Sequence, residues 1–290
     1  MSPQVSLDGA SRGRLNGLIE QAAALYRPAG RFAYHFARGK LRNDPLFTTL
    51  LRVRAISDAG RLVDLGCGQG LLGAWLAAAA RGCIRGGLDP TAPQIDEYCG
   101  VDQSTNDIAR ARTALPGTRI VQADLRAFDV NTLGPCDVIT LFDVLHYLEP
   151  AAQESLLVSA HAALRETGTM VLRVGDAASA SATHWANAID LFVCALRGHP
   201  RSRLHRRSIA EWIALLEGIG FVVELLDDDR ADARQRRKRA SFANVLLRAT
   251  KQSVVPAKHL PSTGSAICRP IGSGPAYSSS SSVGPLYGAR

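Results

Sequence analysis

Residues Arg61–Ala80 read RLVDLGCGQGLLGAWLAAAA. An apolar run ends in an aspartate, glycines follow at 66, 68 and 70, and a Leu, Ala and Trp run comes next. The pattern predicts a buried strand, a tight turn and a helix. Glycines at such a turn allow backbone conformations and close approaches that a Cβ forbids, and the helix N-terminus adds a field suited to a bound ligand. The stretch therefore predicts a binding turn at one end of a sheet.

Working outward, apolar strand runs alternate with amphipathic helical runs, the pattern of a mostly parallel sheet with helices on both faces. Strands are expected over Leu62–Leu65, Tyr98–Asp102, Arg119–Ala123, Asp137–Phe142, Thr169–Val174, Phe221–Leu226 and Ala243–Arg248. Helices are expected over Leu71–Ala80, Thr105–Leu115, Ala151–Leu164 and Ile209–Ile219. The last of these follows Ser208, with Glu211 three residues on, a capping box. Ala182–Arg197 is a further helix candidate after the fifth strand, where an element covering a substrate would sit.

Two ligand classes use a glycine turn of this kind. Gly68, Gly70 and Gly73 match G-x-G-x-x-G, which keeps a nicotinamide cofactor open. Three features favour S-adenosylmethionine (SAM). Asp64 puts a carboxylate just before the turn, unfavourable to a pyrophosphate but suited to the amino group and sulfonium of SAM. Asp102 and Asp124 each stand where a strand ends, able to accept from ribose hydroxyls and an adenine amino group. The run DVITLFDVLHYLEP carries Asp143 and His146 to the carboxyl edge of the sheet, where ligands of such folds bind.

At these residues the chain resembles the class I SAM-dependent methyltransferases. VDLGCGQG looks like their first motif, Asp102 like the ribose acid, Asp124-Leu125 like the adenine-side motif and FDVLHYL like the fourth motif. The resemblance spans about 58–250 and implies a Rossmann-like, seven-stranded fold whose last strand runs antiparallel beside the sixth. Carried onto this sequence, it implies SAM contacts from Asp64, Gly66, Cys67, Gly68, Gly70, Asp102, Gln103, Asp124, Leu125 and Asp143. The spacing departs from the usual one. Asp102 lies 38 residues after Asp64, against roughly 20 between turn and ribose acid in related sites, so an inserted loop is expected in GCIRGGLDPTAPQIDEY and Asp89 rivals Asp102. A narrower likeness, in YHFARGKLRNDPLF, DVLHYL, LRVGDA and FANVLL, is to the small methyltransferases of bacterial aryl-polyene and xanthomonadin-type pigment pathways. It implies a hydroxyaryl acceptor, small or presented on an acidic acyl carrier protein, and so a role in secondary metabolism.

Methyl transfer requires mainly orientation and exclusion of water. For a phenolic acceptor a base helps, and His146 and His35 are the candidates. His146 directly follows the fourth strand, where packing against the cofactor or capping the next helix is the competing reading; His35 lies with Tyr34 and Arg38 in the N-terminal segment. His184 and Trp185 are candidates for lining an acceptor pocket.

Six cysteines without a CxxC pair suggest neither a metal site nor a disulfide framework. A net charge of +8 admits an anionic substrate, an acidic partner or RNA. The basic clusters Arg197–Arg207 and Arg230–Arg239 read first as solvated loops and second as a docking patch. They lack interleaved aromatics, so RNA is the secondary hypothesis, alongside a protein acceptor. Residues 1–57 are expected as a helical cap, 58–250 as the catalytic domain and 251–290, rich in Ser, Gly and Pro, as a disordered tail. The opening residues lack a signal-peptide core and no apolar run reaches 18 residues, so no membrane span and a cytoplasmic location are expected.

Overall fold

The computed structural model describes residues 9–84, 92–175, 204–226 and 244–252. In chain order these form α1 (Gly9–Ala24), α2 (Arg31–Asn43), α3 (Leu46–Arg52), β1 (Ala59–Leu65), α4 (Leu71–Ile84), β2 (Ile95–Asp102), α5 (Thr105–Ala114) and β3 (Arg119–Gln122). There follow β4 (Cys136–Phe142), α6 (Pro150–Ala163), β5 (Leu164–Gly175), α7 (Ile209–Ile219), β6 (Phe221–Leu226) and β7 (Asn244–Lys251). The seven described strands make one sheet in the order β3-β2-β1-β4-β5-β7-β6. The first five are parallel; β7 enters between β5 and β6 and runs antiparallel to both. This is the expected Rossmann-like sheet with its antiparallel last strand.

Alternation along each central strand divides the core into two layers. Leu62, Tyr98 and Val138 face one side, where they join Leu18 and Ala22 of α1, Tyr26 just after it, Ala37 and Leu41 of α2, Phe47 and Leu50 of α3 and Trp75 of α4. Val63, Cys99, Ile139 and Leu172 face the other, against Leu156 and Leu157 of α6 and Trp212 and Leu216 of α7. The N-terminal helices therefore share one hydrophobic cluster with a sheet face. Glu20 ties α1 to α2 by accepting from Arg38 at 2.7 Å and Arg42 at 3.1 Å.

Element limits move where local pattern competes with pairing. Helix α4 runs on to Ile84 and β2 begins at Ile95, so both ends of the expected insertion are regular structure; 85–91, with Asp89, lies outside the described residues. Strand β5 starts at Leu164, where helix was expected to end, because Leu164 pairs with Cys136 and the chain then passes Thr167 at φ 62 to resume register at Thr169. Strand β7 extends to Lys251, one residue past the expected domain end, through its pairing with Phe221. Helix α7 has the expected limits, with the Ser208–Glu211 capping box formed and Gly220 closing it in the left-handed region. The candidates Ala182–Arg197, His184, Trp185, Arg230–Arg239, most of Arg197–Arg207 and the tail beyond Gln252 lie outside the described residues. Among the described residues no helix is long and apolar enough to cross a membrane.

Candidate active site

The strand order reverses direction between β1 and β4, and their carboxyl ends open the crevice in which folds of this kind bind ligands. One wall is the glycine turn. Gly66 and Cys67 donate their N–H groups to the Val101 carbonyl at 2.8 and 3.0 Å, and Gly70 donates to the Cys67 carbonyl at 2.9 Å. Gly66, at φ 80, is doubly constrained: an added Cβ would sit 2.7 Å from Cγ2 of Val144. The turn therefore abuts the residue after Asp143, which forms the opposite wall.

Asp102, at the end of β2, bridges this turn to the next helix. Its Oδ2 accepts from the Gly68 N–H at 2.9 Å and its Oδ1 from the Ser104 N–H at 2.8 Å, while the Ser104 side chain caps α5. The β1–β2 register, Leu65 opposite Val101, is what brings a residue 38 positions after Asp64 beside the turn. Neighbouring Gln103 is exposed, its carbonyl accepting from Gln122 at 3.3 Å.

Asp64 is buried, 3% exposed, and its two oxygens accept from the Tyr98 hydroxyl at 2.7 Å and the Thr140 hydroxyl at 2.8 Å. Burial raises its pKa to about 6, against the lowering from those two hydrogen bonds, and the nearby charge of Asp102 adds to the rise. The crevice floor thus carries a carboxylate that ionises near neutrality. Tyr26, two residues after α1, donates its hydroxyl to the Gln69 carbonyl at 2.9 Å, and the buried side-chain amide of Gln69 makes no hydrogen bond among the described residues. Cys67 is buried, its thiol pushed up chiefly by burial and then by Asp64 and Asp102, so it packs under the turn and stays protonated.

Asp124 follows β3 and accepts Nε and Nη2 of Arg126, an exposed bidentate pair; Leu125 beside it is buried. Asp143, at φ 56, accepts from Nε of Arg173 at 2.8 Å. His146, in a 3₁₀ turn, accepts at its carbonyl from the His205 N–H at 2.9 Å, and its ring stands 4.1 Å from that of Tyr147. With Arg173, Arg206 and Trp212 it lines a small cavity at the ends of β4 and β5. His35 is exposed on α2, its ring edge-on to Tyr34 at 5.0 Å, and among the described residues no hydrogen bond or ion pair joins it to the sheet edge. The structure therefore brings Asp64, Gly66–Gly70, Asp102 and Asp143 together around one crevice, and leaves His35 on an outer face.

The methyltransferase-domain family model matches residues 34–226, about two thirds of the chain. The chain belongs to that family. It is a class I SAM-dependent methyltransferase, and the nicotinamide reading of the glycine turn gives way. Comparison with curated proteins gives no match. Among solved structures, this methyltransferase is similar to an O-methyltransferase family protein from Burkholderia thailandensis, at 17% identity and TM-score 0.51 over 79% of this chain and 62% of that one. The chain thus spans less than two thirds of the Burkholderia protein. It is also similar to a chain of the Haloferax volcanii complex between the methyltransferase activator Trm112 and a methyltransferase, at 17% identity and TM-score 0.52, over 81% of this chain and 99% of that one. A SAM-dependent methyltransferase from Mesorhizobium loti matches at 21% identity and TM-score 0.50, over 71% and 96%. At these identities the likeness is one of fold.

Sequence reasoning missed Tyr26, Tyr98, Thr140, Asp44 and Arg173. One signal was legible: an arginine inside the apolar strand MVLRV requires a buried counter-charge.

Proposed function

We propose that the crevice between the glycine turn and Asp143 binds SAM, and that the enzyme methylates a hydroxyaryl group on a small or carrier-bound acceptor. The observation that carries the cofactor reading is the charge of the crevice. Asp64 and Asp102 stand beneath and beside the turn, and such a site disfavours a pyrophosphate and favours a ligand bearing an ammonium and a sulfonium. Asp64 would support the amino acid end through its field, its oxygens being engaged by Tyr98 and Thr140. Gly66, Cys67, Gly68 and Gly70 would provide the close backbone approach, Asp102 and Gln103 the ribose contact, and Asp124 with Leu125 the adenine side. Ribose binding by Asp102 uses lone pairs left over from its bonds to Gly68 and Ser104.

When bound, SAM supplies a methyl group already activated by its sulfonium. The protein then has to orient the acceptor, exclude water and manage one proton. His146 stands at the carboxyl ends of β4 and β5 in a cavity it shares with Trp212, a place suited to accepting a phenolic proton. The excess of basic residues fits an acidic carrier protein, and the assignment to a cytoplasmic pathway of secondary metabolism belongs to the same reading.

Calorimetric titration with S-adenosylhomocysteine (SAH), with NAD in parallel, tests the cofactor. Saturable binding of SAH alone is expected; binding of NAD alone would overturn the reading. Transfer of labelled methyl from SAM to hydroxyaryl acids, free and as carrier thioesters, tests the acceptor. Substitution His146→Ala should lower turnover more than SAH affinity and flatten the pH–rate profile.

A further inference from the structure

Arg173 is a guanidinium in the middle of the sheet edge, its side chain 10% exposed. Burial of an unpaired cation there would be prohibitive, and two carboxylates from distant parts of the chain meet it. Asp44, in the turn between α2 and α3, accepts Nη1 at 2.5 Å and Nη2 at 2.8 Å. Asp143, at the end of β4, accepts Nε at 2.8 Å and also Nη2. One cation is therefore shared between two anions.

The two ends of this chain differ. Asp44 is fixed further by the Leu46 N–H at 2.9 Å, which starts α3, and by Lys40 at 2.8 Å, an ammonium whose side chain is 42% exposed and solvated. Burial raises the Asp44 pKa, but Arg173 and Lys40 overcome it and hold the carboxyl well below the ordinary range. At the inner end, Asp143 occupies a left-handed backbone position, at φ 56, that is strained for a non-glycine residue. Its N–H donates to the Arg173 carbonyl at 3.3 Å while the Arg173 side chain grips its carboxylate, so backbone and side chain together hold the strained conformation. Val144 comes next and packs on Gly66.

We propose that Asp44 and Arg173 are positioning residues for Asp143: the buried carboxylate–guanidinium–carboxylate chain fixes Asp143 beside the crevice and, with two carboxylates on one guanidinium, carries one negative charge in excess that favours a cationic ligand over its neutral counterpart. Asp44 takes a share of the positive charge of Arg173, so Asp143 is only partly neutralised by it. With Asp44 neutral, Arg173 pairs with Asp143 alone and the inner end becomes an uncharged pair, Lys40 passing to solvent. The proposal rests on the SAM reading, since SAM carries a sulfonium and SAH is its neutral thioether with the same remaining groups.

The experiment compares SAM and SAH affinities by calorimetry for the full chain and for Asp44→Asn and Asp143→Asn, with a melting curve for each. In Asp44→Asn the preference for SAM over SAH should fall about tenfold relative to the unaltered protein, the scale of one charge acting across a partly buried crevice. Asp143→Asn should show the same fall, and it decides the matter if Asp44→Asn does not fold. A residue that merely holds the fold together would lower the melting temperature and weaken both compounds equally. An unchanged ratio in the folded variants overturns the proposal and leaves the SAM reading standing; absence of SAM and SAH binding in the unaltered protein overturns both.

Discussion

The hydroxyl of Tyr26 and the carbonyl of Gln69 are hydrogen-bonded at 2.9 Å across 43 positions of sequence, which pins the turn after helix α1 to the middle of the glycine turn. Both groups are buried, so the bond decides where the N-terminal helices sit relative to the crevice. Burial raises the tyrosine pKa well above its ordinary value, with Cys67 and Asp64 adding to the rise, so the hydroxyl remains a donor throughout the accessible pH range. With Phe32 lying under Arg110 of α5 at 4.8 Å and Asp44 on Arg173 of β5, the N-terminal segment contacts the rest of the domain at three separated points: the glycine turn, α5 and β5. They are part of the site's construction.

Tyr26→Phe removes the donor and strands a buried carbonyl, which should cost about 1–3 kcal/mol of stability and lower the melting temperature by several degrees. Because the turn itself loses support, SAH affinity should fall as well. A variant with unaltered melting and unaltered SAH binding would show that the bond has no role in placing the turn.

Gly66→Ala meets both a left-handed φ and the methyl of Val144 at 2.7 Å. A loss of at least about 2 kcal/mol in chemical denaturation is expected, the sum of backbone strain and crowding. Pairing it with Val144→Ala removes the Cγ2 contact but leaves the Cβ of residue 144 at 2.9 Å and the backbone strain, so the double variant should recover part of the loss and lie between the single Gly66 variant and the original protein. Additive losses would mean that the two residues do not interact.

Asp64 predicts an inverted pH dependence. Its folded pKa, raised to about 6 from an ordinary 3.8, means that the fold holds the proton more tightly than the unfolded chain does. The group therefore contributes most below about pH 4, and its contribution declines as the pH rises to about 6 and then levels. Relative to the original protein, Asp64→Asn should gain about 2–3 kcal/mol on going from pH 4 to pH 7, read from denaturation at each pH. The same variant should weaken SAM binding at pH 7. A stability difference that does not change with pH would remove the raised pKa from the account.

Asp102→Ala deletes the acceptor for both Gly68 and Ser104, loosening the turn and the start of α5 together. SAH affinity should fall more than tenfold with a stability loss of about 2 kcal/mol. Unchanged SAH affinity in this variant, together with its loss in Asp89→Ala, would transfer the ribose role to Asp89.

By itself the sequence determined what depends on neighbouring residues. The period-two and period-3.6 patterns set the order of strands and helices, Ser208 and Glu211 set the start of α7, and the glycines at 66, 68 and 70 marked the turn; all are effects of a few consecutive residues. Limits failed where pairing took over, as at Leu164 and Lys251, whose partners lie on other strands. The site divided along the same line. Asp64, Asp102 and Asp143 were legible because each stands at or next to the carboxyl end of a strand that the periodicity revealed, whereas their partners were not. Tyr98 and Thr140 on Asp64, Tyr26 on Gln69 and Asp44 on Arg173 are contacts across 34 to 129 positions. Only the tertiary structure decided them, because a hydrogen bond or ion pair acts over a few ångströms of space and carries no trace of its partner's place in the chain.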